Sequence, residues 1–227
     1  MLADADIASP AALIGDPTRA TFLTELVDGT ALPASELAQR AGVSASTASI
    51  QLSKLVDGGL LEVERSGRHR YYRLADPSIA SAIEALAVIS PHRAATSLKQ
   101  ARAGSELQAA RTCYDHLAGA LGVALLEALR RQRLLTPELE VTQRGAARFG
   151  ELGIDVGSLA RLRRPLTRPC LDWTERRHHL AGALGAALAS RFLELGWIER
   201  RPESRAVRVT DKGRRAFAEL AVQVDRR

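Results

Sequence analysis

The chain has 227 residues, which is enough for two domains with separate cores. It has no apolar run of the ~18 residues that a transmembrane helix needs, and it starts with an acidic segment that does not resemble a signal peptide, so we expect a cytoplasmic protein without a membrane partner. Its net charge of +6 is uneven: residues 1–92 carry 7 basic and 11 acidic side chains, and residues 93–227 carry 25 and 15. The basic second part indicates either a polyanionic partner or an arginine-rich solvated surface.

Three helices are predicted in the first sixty residues. Asp16-Pro17 is a typical helix start, with aspartate as the N-cap and proline at the first helical position. A second helix is expected from about Pro33 to Arg40. After the turn Ala41-Gly42-Val43, Ser44 caps a third helix, which ends at Asp57-Gly58-Gly59.

The pattern then changes from helical to alternating. Leu61 and Val63 alternate with charged residues, Ser66-Gly67 supplies a turn, and residues 69–74 return, which predicts a β-hairpin with a basic tip. Asp76-Pro77 begins another helix, and an apolar stripe runs along it from Ile79 to Ile89.

The order helix, helix, turn, helix, hairpin predicts a winged helix-turn-helix that binds double-stranded DNA. Small hydroxyls on the third helix permit a close approach to base edges, glutamine can pair with adenine, and basic residues on the wing suit phosphates or the minor groove. The predicted DNA-contacting residues are Ser44, Ser46, Thr47, Ser49, Gln51, Lys54, Arg65, Arg68 and Arg70.

At these positions the sequence resembles the ArsR/SmtB family of bacterial repressors, over roughly residues 8–92. The matching motifs are Asp16-Pro-Thr-Arg19, Ser35-Glu-Leu-Ala38, Gly42-Val-Ser44, Leu52-x-Lys54-Leu55, Gly67-Arg68 and Tyr71-Tyr-Arg-Leu74. The resemblance implies a homodimer whose outer helices pack together, and DNA binding that an effector reverses. Ile50 departs from the family, which often has a polar residue there, so contact with a thymine methyl is an alternative.

The remainder of the chain contains an internal repeat. After a connector over residues 93–111, the segment His116–Gly122 recurs as His179–Gly185, and a Val-Thr-x-x-Gly motif follows each copy. We predict a regulatory domain over residues 112–227, built of two helix–hairpin–helix units that are degenerate winged-helix-like repeats. The fold class is therefore mainly α with small β-hairpin wings, and the small residues of the repeat are expected to let its two helices pack closely.

Effector sensing is assigned to this second domain. The ligands that the family uses on its last helix are matched only by Asp76 and His92, and no cysteine lies near the second helix. Cys113 and His116 are predicted to share a helical face, and their counterparts in the other repeat are expected to converge on them. The candidate ligands for zinc or another transition metal are Cys113, His116, Cys170, Asp172, His178 and His179.

Other interpretations stay open. The two cysteines are alternatively packed hydrophobes or a redox pair, and Trp173 and Trp197 alternatively line a pocket for a small organic effector. The sequence has no P-loop, dinucleotide-binding glycine pattern, nucleophile elbow or two-histidine protease motif, so an enzyme is not expected. The alternative to an effector-released repressor is a constitutive DNA-architecture or assembly module.

Overall fold

A computed structural model describes residues 5–67, 69–91, 97–201 and 204–223, without the side chains of His69 and Lys99. The chain forms two compact units, Met1–Ile83 and Glu84–Arg227. The predicted first domain extends further, to residue 92. Arg68, a predicted DNA contact, and His92, a partial match to a family ligand, lie outside the described ranges. Within those ranges, every helix is too short or too polar to span a lipid bilayer.

The first unit has the predicted helices and hairpin in the predicted order, and two further elements, the helix Ala8–Ile14 and the strand Leu32–Pro33, were not predicted. The elements are α1 (Ala8–Ile14), α2 (Pro17–Glu25), β1 (Leu32–Pro33), α3 (Ala34–Ala41), α4 (Ala45–Asp57), β2 (Leu61–Ser66), β3 (His69–Leu74) and α5 (Pro77–Ile89), which continues into the second unit. The strands form one antiparallel sheet in the order β1-β3-β2. This arrangement confirms the winged helix-turn-helix.

Local signals position the helices of the first unit. The Asp16 carboxylate accepts a hydrogen bond of 3.0 Å from the Arg19 amide and so caps α2. Gly42 ends α3 at a φ of 65°, a left-handed conformation that glycine adopts without strain. The Ser44 hydroxyl then accepts a hydrogen bond of 3.1 Å from the Thr47 amide and begins α4. These helices bury a common core of large apolar side chains, among them Phe22, Leu23, Leu26, Leu37, Leu52 and Leu55.

The second unit combines helices with three short β-hairpins. Its elements are α6 (Leu98–Ala109), β4 (Arg111–Cys113), β5 (His116–Ala118), α7 (Gly119–Arg131), α8 (Gln143–Glu151), α9 (Val156–Leu159), β6 (Arg168–Leu171), β7 (His178–Ala181), α10 (Gly182–Glu194), β8 (Ile198–Arg200), β9 (Val207–Val209) and α11 (Asp211–Glu219). The hairpins are β4-β5, β6-β7 and β8-β9. Most of the described part of the expected connector is helix α6, which packs against α7.

The two copies of the repeated sequence have similar local structure. Each begins with a hairpin, continues into a helix of 13 residues, and ends with a helix that a threonine caps. The second copy has the hairpin β8-β9 between its helices, whereas the first has a single bridge between Leu135 and Val141. The sequence did not predict the leading hairpins β4-β5 and β6-β7.

The prediction that Cys113 and His116 share a helical face is therefore wrong. They lie on the two strands of a hairpin, joined by Tyr114 and Asp115. A short apolar segment such as His116–Ala118 does not distinguish strand from helix by its periodicity. Helix α7 starts only at Gly119, whose φ of 73° marks the junction.

Each repeat packs against the other through its glycines. Helix α7 contacts strand β7, and helix α10 contacts strand β5. A methyl group at Gly122 would lie 3.4 Å from the His179 Cβ atom, and one at Gly185 would lie 3.3 Å from the His116 Cβ atom. The small residues thus bring each helix close to the hairpin of the other repeat. The expected contact was between the two helices.

The glycine of the Val-Thr-x-x-Gly motif has a steric role that can be tested. A Cβ atom at Gly145 would lie 2.1 Å from the Leu134 carbonyl oxygen, whereas a Cβ atom at Gly150 would project into open space. Both glycines belong to α8. We expect Gly145→Ala to lower the free energy of unfolding by about 1–3 kcal/mol, while Gly150→Ala is neutral or stabilising by up to about 1 kcal/mol. Urea unfolding followed by tryptophan fluorescence measures both, and equal effects would contradict the steric explanation.

Candidate functional site

Helix α4 exposes a continuous stripe of three serines and one isoleucine. Ser46, Ser49, Ile50 and Ser53 are all exposed, and Ile50 is 58% accessible. Their spacing of i, i+3, i+4 and i+7 places them on one face of the helix. The opposite face, with Ala48, Leu52 and Leu55, is buried in the core. Because the buried face packs into the core, the orientation of the exposed stripe is fixed.

The other predicted residues of α4 have different roles. Ser44 and Thr47 take part in the N-cap, with their hydroxyl oxygens 2.9 Å apart. Gln51 is half-buried, and its carbonyl oxygen accepts a hydrogen bond of 2.7 Å from the Arg19 guanidinium. Gln51 therefore positions Arg19 within the unit, which differs from the expected pairing with adenine. Ser53 was not among the predicted residues, although it lies seven residues after Ser46 on the same helical face.

The wing places two arginines directly opposite each other. Arg65 in β2 is the cross-strand partner of Arg70 in β3, and both side chains are exposed. Like charges in this position destabilise a hairpin. A nearby polyanion would relieve that repulsion, so the pair suits phosphate groups. Lys54 at the end of α4 is exposed as well.

The second unit gathers four of the six predicted metal ligands. The ligand atoms of Cys113, His116, Cys170 and His179 all lie within 4.8 Å of one another. The two sulfur atoms are 3.9 Å apart, and the two Nε2 atoms are 3.2 Å apart. Three of these residues are buried, and Cys170 is half-buried.

The hairpins explain why these four side chains meet. Cys113 is directly opposite His116 in β4-β5, and Cys170 is directly opposite His179 in β6-β7. Cross-strand partners point to the same face of a hairpin. Strand β5 packs against β7, so both cysteine–histidine pairs face a common centre.

Asp172 and His178 do not join the cluster. His178 is exposed on β7, one residue away from the buried His179. Asp172 is fully buried, and one of its oxygens lies 3.3 Å from His179 Nδ1 and 3.0 Å from the Arg111 guanidinium. The same oxygen accepts a hydrogen bond of 2.6 Å from the Gly119 amide. Asp172 thus orients a candidate ligand and the start of α7.

Two further residues beside the cluster, Asp115 and Arg111, were not predicted. Asp115 lies with one oxygen 3.3 Å from His116 Nδ1, which mirrors Asp172 beside His179. Arg111 has a completely buried side chain and neutralises Asp172. Asp115 and His116 are neighbours in the chain, whereas Arg111 and Asp172 belong to different repeats, so no local pattern predicts the second pairing.

The pKa values of the two cysteines in the cluster are shifted in opposite directions. A hydrogen bond with Cys113, opposed by burial and assisted by His116 and His179, lowers the pKa of Cys170 to about 2. The hydrogen bond with Cys170 and burial raise the pKa of Cys113 well above its ordinary value. Burial opposes a charged His179, but Asp172 and Cys170 raise the pKa of that imidazole. These shifts favour a thiolate at the half-buried Cys170 beside a His179 imidazole whose pKa is raised.

Ring contacts surround both tryptophans, which the sequence alternatively placed at an effector pocket. Trp197 stacks on Phe192 with ring centroids 5.0 Å apart and meets Phe217 edge to face at 5.7 Å, so it belongs to the core. The Arg111 guanidinium lies 4.6 Å from the centre of the Trp173 ring. A groove of about 620 Å³ in the second unit is lined by other residues, including Arg102, Glu106, Glu127, Arg177, Arg201 and Arg208.

Comparisons with known proteins agree with the winged helix-turn-helix of the first unit. Residues 14–64 match the family model of a helix-turn-helix domain. The chain is 47% identical over 215 residues to the HTH-type transcriptional regulator YdfF of Bacillus subtilis, covering 93% of this chain and 95% of the relative. It is 34% identical over 90 residues to the HTH-type transcriptional regulator NmtR of Mycobacterium tuberculosis, which covers 40% of this chain and 74% of that protein.

A solved structure of the transcriptional repressor BigR from Xylella fastidiosa matches 39% of this chain and 89% of its own, at 27% identity and a TM-score of 0.36. The fold, the family model and the relative that spans nearly the whole chain define a DNA-binding transcriptional regulator with a winged helix-turn-helix. The chain belongs to the HTH-type transcriptional regulators, in the ArsR/SmtB family that its N-terminal motifs resemble.

Proposed function

We propose that this regulator is a dimeric repressor that reads double-stranded DNA with the stripe Ser46, Ser49, Ile50 and Ser53, and that an effector bound by the second unit releases it. The observation that carries the proposal is the exposure of this stripe on a helix whose other face is buried. A helix fits the major groove, serine hydroxyls pair with either donors or acceptors on bases, and an apolar side chain suits the thymine methyl.

The wing supplies the contacts that do not depend on sequence. In this proposal Lys54, Arg65 and Arg70 bind phosphates and fix the register of α4. Salt titration of DNA binding tests this part, because each lost phosphate contact lowers the slope of log affinity against log salt by about 0.9. We expect Arg65→Ala and Arg70→Ala each to reduce the slope by roughly 1.

Arg73 offers the matched control for this titration. It lies in the same strand as Arg70 but pairs with Glu62 at 2.8 Å. Arg73→Ala is expected to leave the salt slope unchanged. An unchanged slope for both wing variants on a duplex selected by the full chain would remove the wing from the interface.

Exposed apolar residues on the part of α5 that belongs to the second unit support a dimer. Ile89 is 79% exposed and Leu86 is 41% exposed. A second copy would bury them in a twofold interface and would place two α4 helices on successive half-sites.

Substitution of Ile89 tests this interface. We expect Ile89→Glu to raise the dimer dissociation constant at least about tenfold, since burying an unpaired charge costs more than 1.4 kcal/mol. Ser90→Glu adds the same charge at the next exposed residue and serves as the control. Sedimentation velocity over a concentration series measures both, and equal dissociation constants would argue against α5 as the interface.

The effector part of the proposal needs its own measurement. Affinity for the selected duplex is compared before and after metal removal and after thiol oxidation. A change in affinity supports an effector-released repressor. Identical affinities under every condition would instead favour a constitutive DNA-architecture module.

A further inference from the structure

The distances in the cysteine–histidine cluster match those of a tetrahedral metal site. Zinc binds sulfur at about 2.3 Å and nitrogen at about 2.0–2.1 Å, so tetrahedral geometry separates two sulfurs by about 3.8 Å and two nitrogens by about 3.3 Å. The observed separations are 3.9 Å for Cys113 and Cys170 and 3.2 Å for His116 and His179. Both pairs therefore already have the spacing that a single ion requires.

The groups behind the histidines leave Nε2 as the metal-binding atom. Nδ1 of His116 faces Asp115, and Nδ1 of His179 faces Asp172, each at 3.3 Å. His116 Nδ1 hydrogen-bonds to its carboxylate, and His179 Nδ1 lies beside its carboxylate without a hydrogen bond. A carboxylate on this side of an imidazole favours the proton on Nδ1 and leaves Nε2 for a metal. The two Nε2 atoms are 3.2 Å apart, a distance at which they share either a proton in a hydrogen bond or one metal ion that both bind.

The charge balance also fits a divalent ion. Two thiolates and two neutral imidazoles around a divalent cation form a group with no net charge, which an apolar interior accommodates far better than separate charges. Cys113 and His116 are each 3% exposed and His179 is 0% exposed, so water does not solvate a charge on any of these three side chains. Softer thiolates with imidazoles select zinc-like ions over magnesium or calcium.

We propose that Cys113, His116, Cys170 and His179 bind one Zn²⁺ or a similar transition-metal ion in a closed tetrahedral site that ties the two repeats together. Four protein ligands leave no position for a substrate, so the site stabilises or senses and does not catalyse. The proposal names the ligand class of the second unit in the function proposed above. It is tested without DNA, so its failure would not bear on the proposal that the stripe on α4 reads DNA.

The test begins with metal content and a spectroscopic probe. The full chain, purified under reducing conditions, is expected to contain close to one zinc per chain by elemental analysis. After removal of zinc with a chelator, added Co²⁺ is expected to give the thiolate-to-cobalt charge-transfer band and the intense visible bands of tetrahedral coordination. These measurements on the unaltered chain decide the proposal even where a variant fails to fold.

Adjacent histidines provide the matched pair of variants. His179→Gln is expected to weaken zinc binding about 100-fold or more in competition with a chelator, since loss of an outer partner alone costs about 10- to 100-fold. His178→Gln changes the exposed neighbour in the same strand and is expected to bind as the parent does. The double variant Cys113→Ser/Cys170→Ser is expected to lose the charge-transfer band.

Three results would overturn the proposal. One is a cobalt complex without a charge-transfer band, and another is a band that survives in the double serine variant. The third is a metal-free chain in which Cys113 and Cys170 form a disulfide under the same reducing conditions.

Discussion

Replacing Arg111 with methionine is expected to lower the free energy of unfolding of the second unit by about 3–5 kcal/mol. The Arg111 and Asp172 side chains are both 0% exposed, with the guanidinium 3.0 Å from the carboxylate. Removing one partner leaves a buried charge without its counter-ion, and the remaining interactions with the Gly119 amide and Thr174 compensate only part of that loss. Methionine keeps the bulk of the side chain, so the lost charge dominates the effect.

Tryptophan fluorescence isolates this effect, because both tryptophans, Trp173 and Trp197, lie in the second unit. Urea unfolding in metal-free buffer gives the free energy for each variant. The control is Arg164→Met, which breaks a partly exposed ion pair with Asp115 and is expected to cost less than about 1 kcal/mol. A loss below about 1 kcal/mol for Arg111→Met as well would show that the buried pair is dispensable.

The first unit was largely predictable from the sequence because its signals are local. A capping aspartate before Pro17, a left-handed glycine at position 42 and a capping serine at position 44 each fix an end of a helix within four residues. The alternation of apolar and charged residues from Leu61 onward likewise predicts the hairpin of the wing. Together these local signals are sufficient to predict a winged helix-turn-helix.

The residues of the proposed DNA-reading surface were harder to predict from the sequence. Gln51 has the chemistry of a base-reading residue, but its side chain faces Arg19, which is 32 positions away in the chain. Only the tertiary packing of α2 against α4 decides that contact. Polar character on a recognition helix therefore does not by itself identify the residues that reach DNA.

The metal-ligand cluster shows the same limit in the second unit. Cys113 precedes His116 by three positions, whereas Cys170 precedes His179 by nine, so the repeat aligns the histidines but not the cysteines. The difference arises because two residues connect β4 to β5 and six connect β6 to β7, and because the extra cross-strand pair Leu171–His178 lies between Cys170 and His179. Cross-strand pairing restores the equivalence, and recognising both hairpins in the sequence would have revealed it.

The arginine-rich character of the second unit has a partly structural explanation. Many of its arginines form ion pairs within the unit, such as Arg102 and Arg201 with Glu106, and Arg191 with Glu194. Such exposed pairs contribute little to stability individually. They favour the interpretation of this basic excess as a solvated surface over the interpretation as a second DNA-binding surface.

The central claim is that the exposed stripe of α4 contacts base edges, and Ser49→Glu tests it most directly. A carboxylate at the centre of the stripe would meet phosphates and electronegative base edges, and like-charge contacts at an interface cost several kcal/mol. Ser49 is exposed in the middle of the helix, and glutamate favours helix formation, so the fold should persist. Thr24→Glu places the same charge on an exposed position of α2.

The decisive measurement is the affinity of these two variants and the parent chain for a duplex that the parent selects from a random pool, at one fixed salt concentration. We expect Ser49→Glu to bind about 100-fold or more weakly, a loss of at least about 2.7 kcal/mol, and Thr24→Glu to bind like the parent. Equal affinity for all three proteins would show that α4 does not enter the groove.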